Sequence, residues 1–454
     1  MKVFAKKAYL QTGWARDITL SIKDGQITRL ETGSRPEESV ISVDTLLPAL
    51  SNLHSHSFQR AMAGMTEFRA QGQENFWTWR ELMYRFLDHL TPDQIGTIAR
   101  FAFMEMQEAG FAAVAEFHYL HHAKGGRIYD DPAELSNQIM QAAVNTGIGL
   151  THLPVLYSYG DVGQQPLIGG QQRFGHTVDQ FQTLIERCTD MIKTLPDDTR
   201  IGIAPHSLRA TSSADLAAIT ALNATGPIHM HIAEQVKEVV DVGKVLGARP
   251  VEWLLDNVDV NDRWCLIHAT HMTADETQQV AKSGAVVGLC SVTEANLGDG
   301  VFNGLPYLDA GGRFGVGTDS NINISPIEEL RMLEYSQRLT HRQRNVLATE
   351  DGSTGDRLYT AAALGGARAL NRDTGTLEVG KLADMVAVNS DAPALCALRD
   401  DQILDGFLFA GNNRLVTDLW SAGRHCVRDG QHIAHDKIVA QYRQTMKALM
   451  ETLD

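Results

Sequence analysis

The chain has 454 residues, of which 43% are hydrophobic, 21% charged and 7% aromatic, a balance that supports a sizeable buried core and excludes a largely disordered or fibrous protein. Forty lysines and arginines stand against 55 aspartates and glutamates, a net charge of −15, so long-range electrostatics oppose nucleic acid and anionic membrane surfaces as partners. The length exceeds one ordinary domain and predicts a large body with a smaller attachment.

No run approaches the roughly 18 uninterrupted apolar residues of a membrane span. The opening MKVFAKKAYLQTGWARD lacks the longer apolar segment and small-residue cleavage site of a secretory signal. A soluble cytoplasmic protein is expected. Its cysteines, Cys188, Cys265, Cys290, Cys396 and Cys426, are odd in number, dispersed and never in a C-x-x-C pair, which suggests neither a disulfide framework nor a thiolate zinc site.

Near the start, DITLSIKDGQITRLE alternates apolar and polar residues around Asp24-Gly25, a two-residue hairpin turn. Eight short apolar runs follow, each leading into polar residues: TLLPALSNLHSHS, FAAVAEFHYL, GIGLTHLPVLYS, RIGIAPHSLRA, PIHMHIAEQ, WCLIHAT, GAVVGLCS and RFGVGTDS. Helix starts are marked at Thr91-Pro92-Asp93-Gln94, Thr273-Ala274-Asp275-Glu276 and Ser325-Pro326-Ile327-Glu328, all fitting the capping box, and Gly110 and Gly284 fit helix ends. Strands alternating with helices over about 320 residues predict a (β/α)8 barrel over residues 49–371, because parallel strands buried on both faces read as continuous apolar runs. A doubly wound open sheet is the rival. Toward the finish ADMVAVNS and LVTDLWSAGRHCVRDGQHI, with the turn Asp429-Gly430, repeat the character of the first residues. Residues 1–48 and 372–454 are therefore expected to form one small β domain, with HDKIVAQYRQTMKALMETL as its closing helix.

His54-Ser55-His56 ends the first barrel run. On a strand, residues i and i+2 lie roughly 6 to 7 Å apart on one side, so the two imidazoles can grip one ion. Partners stand at the ends of later runs: His231, His268 and Asp319. Imidazole and carboxylate donors without thiolate suit a zinc-like ion with an open position for water, although iron or manganese could be accepted. Taken singly, each residue reads equally as a strand-end group capping a neighbouring helix. Glu234, three residues past His231, is placed for proton transfer; alone it reads as a helix N-terminal acid.

His54-x-His56, His231-x-x-Glu234, His268 and Asp319, with GTLEVGKLADMVAV at 375–388, resemble the amidohydrolase superfamily over nearly the whole chain. That resemblance implies a (β/α)8 barrel with a small β-sandwich made from both termini. RIGIAPHSLRA carries no lysine for the carboxylated-lysine bridge of two-metal members, which favours the mononuclear deaminase branch. More narrowly, HSHSFQRAMAG, FWTWRELMYR, AEFHYLHH, PHSLRA, HMHIAEQ and TEANLGDG resemble the formimidoylglutamate deiminases of histidine degradation. This implies hydrolysis of N-formimino-L-glutamate to N-formyl-L-glutamate and ammonia, with Gln59, Arg80, Tyr119, His206 and Arg209 contacting substrate. A homodimer is the family habit.

Under this reading His54, His56, His231 and Asp319 hold Zn²⁺, Asp319 and His268 orient and deprotonate the attacking water, and Glu234 protonates the terminal nitrogen. Protonation of the inner nitrogen would instead release glutamate and formamide. A dianionic substrate approaching a protein of charge −15 needs local guanidinium groups, and Arg80 and Arg209 are the candidate clamps. Trp77 and Trp79 are expected to be core packing. His229 is assigned to the barrel interior, and His118, His121 and His122 to loops around the site. Two rival functions are a zinc-dependent deaminase of a purine, pterin or pyrimidine, and a non-catalytic metal- or ligand-binding protein. The intact Glu234 and His268 argue against the second.

Overall fold

The computed structural model describes all residues except 37–39, 68–75, 223–224 and 454. Each of the eight apolar runs forms a barrel strand: β1 (Leu50–Ser55), β2 (Phe111–His118), β3 (Gly149–Leu156), β4 in two pieces (Arg200–Ile201 and Ala204–Pro205), β5 (Ile228–Ile232), β6 (Trp264–His268), β7 (Val286–Leu289) and β8 (Arg313–Val316). Neighbours pair in parallel. Single bridges at Ile203–Ile228 and Ser55–Asp319 join β4 to β5 and β8 back to β1. The sheet therefore closes, and the open-sheet alternative falls.

Closure depends on close backbone approach at one helix. A Cβ on Gly365 would lie 1.9 Å from the carbonyl oxygen of Phe314, and one on Gly366 would lie 2.8 Å from that of Ser51. Only glycine lets helix Thr354–Ala369 rest directly on β8 and β1. The capping boxes at Thr91/Gln94 and Thr273/Glu276 form with both hydrogen bonds, and those helices end at left-handed Gly110 and Gly284. At Ser325 only half of the motif forms: its hydroxyl accepts the Glu328 N–H and donates to Asn413 Oδ1.

Both termini build one eight-stranded sheet, in the order Gln431–His432, Arg424–Arg428, Val416–Ser421, Met385–Val388, Ile41–Pro48, Lys2–Leu10, Gly13–Lys23, Gln26–Glu31. Asp24-Gly25 and Asp429-Gly430 each take positive φ at both residues, as a two-residue hairpin turn requires. Val3, Ile18, Leu20, Met385 and Trp420 belong to a separate small core within this sheet. A buried ion network ties sheet to barrel: Arg372 bridges Asp198 and Asp384, and Arg424 grips both oxygens of Asp198. The last helix, His435–Leu453, lies on the barrel helix Pro92–Ala109, with the rings of Tyr442 and Phe101 stacked at 3.8 Å. Among the described residues no helix is long and apolar enough to cross a membrane.

Candidate metal centre and active site

The strands deliver their terminal side chains to one mouth of the barrel. His54, His56, His231 and Asp319 each place one donor atom so that all four lie within 4.8 Å of one another, and all are buried. His54 Nε2 is 3.0 Å from His231 Nε2 and 3.4 Å from Asp319 Oδ1, which in turn is 3.2 Å from His56 Nε2. Nδ1–H of His56 donates to the Phe117 carbonyl at 3.0 Å, and Nδ1–H of His231 to the His206 carbonyl at 3.1 Å. Those bonds fix the tautomer that leaves Nε2 bare, as a metal ligand requires. Burial pushes the His54 imidazole down to about 3 and His231 well below its ordinary value. Burial pushes the Asp319 carboxyl up, but the adjoining His54 and His56 imidazoles outweigh it and hold the group well below the usual carboxylate range. Bare imidazole nitrogens around one carboxylate, sealed from solvent, leave lone pairs that a cation satisfies. The donor set fits a zinc-like ion.

Two of these residues sit in strained backbone. His268 has φ 69° and Asp319 φ 42°, left-handed conformations that side-chain-bearing residues rarely adopt outside functional turns. Asp319 is held there because its own N–H bonds the His54 carbonyl while its carbonyl accepts the His56 N–H. His268 Nδ1 meets Glu294 Oε1 at 3.2 Å, and its Nε2 lies 3.8 Å from both Glu234 Oε1 and Asp319 Oδ2. Burial alone would lower the His268 imidazole; the surrounding carboxylates of Glu234, Glu294 and Asp319 outweigh it and raise it to about 10. The Glu234 carboxyl is pushed upward, because burial dominates the opposing pull of His268 and Arg209. A turn at Ala233, with φ 51°, carries Glu234 into the mouth. Glu238 holds that turn by accepting the N–H groups of Ala233 and Glu234 at 3.3 and 3.1 Å.

A cavity opens from this centre. Gln59, Arg80, Tyr119, His206 and Arg209 all line it beside His56, His231, Glu234, His268 and Asp319; His54 is fully buried among the other donors. Gln59 Nε2 donates to the Tyr119 hydroxyl at 2.7 Å. Arg209 is 6% exposed, 3.6 Å from Glu234 Oε2, and its Nε has no hydrogen-bond partner. Arg80 lies 4.6 Å from the Trp77 ring centroid.

The tryptophan reading holds only in part, since Trp79 packs against the main core but does more than that. Trp79 lines the cavity and Trp77 is half-buried, its ring approached by Arg80 and by Lys237 at 5.0 Å. Neither is simple core, because helix Phe76–Leu87 lies over the barrel mouth instead of in an inner layer. Sequence reasoning also missed Tyr84, Tyr157 and Phe174, further cavity walls, and the supporting carboxylates Glu238 and Glu294. Glu294 stands within TEANLGDG, a motif noticed but given no role. His229 sits at the start of β5, bonded through Nε2 to the Ala369 carbonyl, and His118, His121 and His122 lie outside the ligand group.

The amidohydrolase family matches residues 45–426. This chain belongs to that family. Residues 1–38 match the N-terminal domain described as formimidoylglutamate deiminase HutF. Over 452 residues the amidohydrolase is 44% identical to a formimidoylglutamate deiminase of Pseudomonas aeruginosa, covering 99% of each chain. A crystal structure of an amidohydrolase from Brucella melitensis superposes with a TM-score of 0.95 at 44% identity, again over 99% of each chain. An adenosine deaminase from Xanthomonas campestris with bound zinc shares the fold, with a TM-score of 0.81 at 21% identity over 99% of this chain and 98% of that one.

Proposed function

We propose that this amidohydrolase is a metal-dependent formimidoylglutamate deiminase, which hydrolyses N-formimino-L-glutamate to N-formyl-L-glutamate and ammonia. One observation carries the reading beyond the full-length likeness: two guanidinium groups, Arg80 and Arg209, face the same cavity as the His/Asp centre and Glu234. A flat neutral ring needs no such pair, whereas an acyclic dianion does, and each guanidinium can bind a carboxylate with two parallel hydrogen bonds.

His54, His56, His231 and Asp319 would hold one Zn²⁺ per chain. When bound, that ion supplies the Lewis acidity that activates water and polarises the amidine carbon. Asp319 Oδ2, steadied by His268 Nε2 at 3.8 Å, takes a proton from the attacking water. Glu234, whose raised affinity for protons suits a general acid, delivers one to the terminal nitrogen, so that ammonia leaves and the N-formyl group remains. Arg80 and Arg209 bind the substrate carboxylates, and Gln59, Tyr119 and His206 position the formimino group. Glutamate and formamide would form if the inner nitrogen were protonated instead, so the identity of the products reports which nitrogen Glu234 serves.

The same reading makes the enzyme a cytoplasmic homodimer, which sedimentation would check. The decisive experiment incubates purified protein with formiminoglutamate, measuring ammonia and N-formylglutamate alongside elemental analysis. Ammonia with N-formylglutamate in equal amounts is expected; turnover of purines or pterins but not of formiminoglutamate would overturn the assignment.

A further inference from the structure

Beside the four-donor centre lies a second donor cluster of different chemistry. Cys290 Sγ, a ring nitrogen of His268 and a carboxylate oxygen of Asp319 also fall within 4.8 Å of one another, and all three residues are buried. Asp319 divides its oxygens between the two clusters: Oδ1 faces His54 and His56, while Oδ2 lies 3.8 Å from His268 Nε2. Glu234 Oε1 stands at the same distance from that nitrogen. The Nδ1 of His268 is taken by Glu294, which leaves Nε2 as the donor. No hydrogen bond to the Cys290 sulfur is found among the described residues, although Cys396 and Cys426 both make one. The fully buried Cys290 side chain therefore meets the carboxylate-rich side of the site with its sulfur uncommitted.

We infer that Cys290, His268 and Asp319 form a second, thiolate-containing position for a soft divalent ion, bridged to the first by the Asp319 carboxylate, whose occupation shuts the enzyme down. The 3.8 Å between His268 Nε2 and Asp319 Oδ2 is close to the donor separation of a tetrahedral shell, whose ligands lie roughly 2.0 to 2.3 Å from the ion. Sulfur selects thiophilic ions such as cadmium, or zinc in excess, over magnesium or manganese. Binding replaces the Cys290 S–H bond with a metal–sulfur bond and displaces the proton that His268 carries on Nε2, and both protons leave to solvent. Occupation removes His268 Nε2 and Asp319 Oδ2 from proton handling at once. The inhibitory consequence rests on the function proposed above, but the site itself does not.

The test uses the full-length zinc-loaded protein carrying Cys396→Ser, which removes the exposed thiol among the five cysteines. Cadmium is titrated in while three quantities are followed: bound zinc, the ultraviolet thiolate-to-cadmium absorption band, and ammonia release. One equivalent of cadmium bound beside retained zinc, with a band that grows as activity falls, is expected. Adding Cys290→Ser or Cys290→Ala should abolish the band and weaken cadmium inhibition by roughly 10- to 100-fold, no less than the loss seen when a group supporting a metal ligand is removed. Activity without cadmium should stay near that of the parent. Absence of the band in the parent, or cadmium that simply displaces zinc, overturns the inference even if neither Cys290 variant folds. A Cys290-dependent band in a protein that never releases ammonia would preserve this site and sink the functional reading instead.

Discussion

The barrel mouth holds two sets of buried histidines that differ in what their nitrogens face. In the first, His56 and His231 give Nδ1–H to backbone carbonyls and turn Nε2 toward Asp319 and His54. In the second, His121 and His122 use Nε2 on the carbonyls of Val155 and Gly175, leaving Nδ1 without a partner. His118, His152 and His176 pack among them with ring centroids 4.5 to 5.5 Å apart. Imidazole crowding alone therefore does not make a metal centre. A shared carboxylate does, and among the described residues the second set is grouped with none.

The strongest way to break this contrast is to remove the carboxylate. Asp319→Ala should lose bound zinc and more than about 10⁴-fold in turnover, the upper end of an acid–base loss, because donor and proton acceptor disappear together. A variant that keeps both metal and activity would show that the imidazoles suffice. Next in size, Glu234→Gln should retain zinc while ammonia release falls by roughly 10²- to 10⁴-fold; near-normal turnover would remove it from the mechanism. Arg209→Met should mainly raise KM for formiminoglutamate, by about 10-fold or more, since a charge-assisted hydrogen bond contributes about 1.5–3 kcal/mol and each 1.4 kcal/mol is tenfold. Equal damage to uncharged amidines would exclude a carboxylate clamp.

The smallest effect tests the second set. Burial pushes His176 and His152 down to about 3, against about 6.5 in an unfolded chain. Both are neutral when folded, so between those values the unfolded state binds more protons, and stability is full above pH of about 6.5 and declines as pH falls toward 3. Each contributes a slope of up to about 1.4 kcal/mol per pH unit. His176→Asn should flatten that slope in urea unfolding at a series of pH values, with zinc content unchanged. A zinc-depleted variant would mean that the two sets are not separate.

The barrel was legible because its signals are local. Runs such as WCLIHAT and GAVVGLCS are apolar because both faces of β6 and β7 are covered, and the ligands sit where those runs end. What escaped depends on approach between distant segments. Glu294 reaches His268 from 26 residues away, and Glu238 looks like an ordinary helical acid until the turn at Ala233 folds over it. The placing of Trp79 likewise follows from where its helix lies, which hydrophobic periodicity does not encode. The half-formed box at Ser325 has a nearer cause: the Glu328 carboxylate pairs with Arg331 and does not reach back to the Ser325 N–H.

The order of the terminal sheet has a consequence for biosynthesis. Ile41–Pro48 lies between Lys2–Leu10 and Met385–Val388, so one edge of an early ribbon must wait on the ribosome until more than three hundred further amino acids have been added. Until then that apolar edge is open to stray pairing.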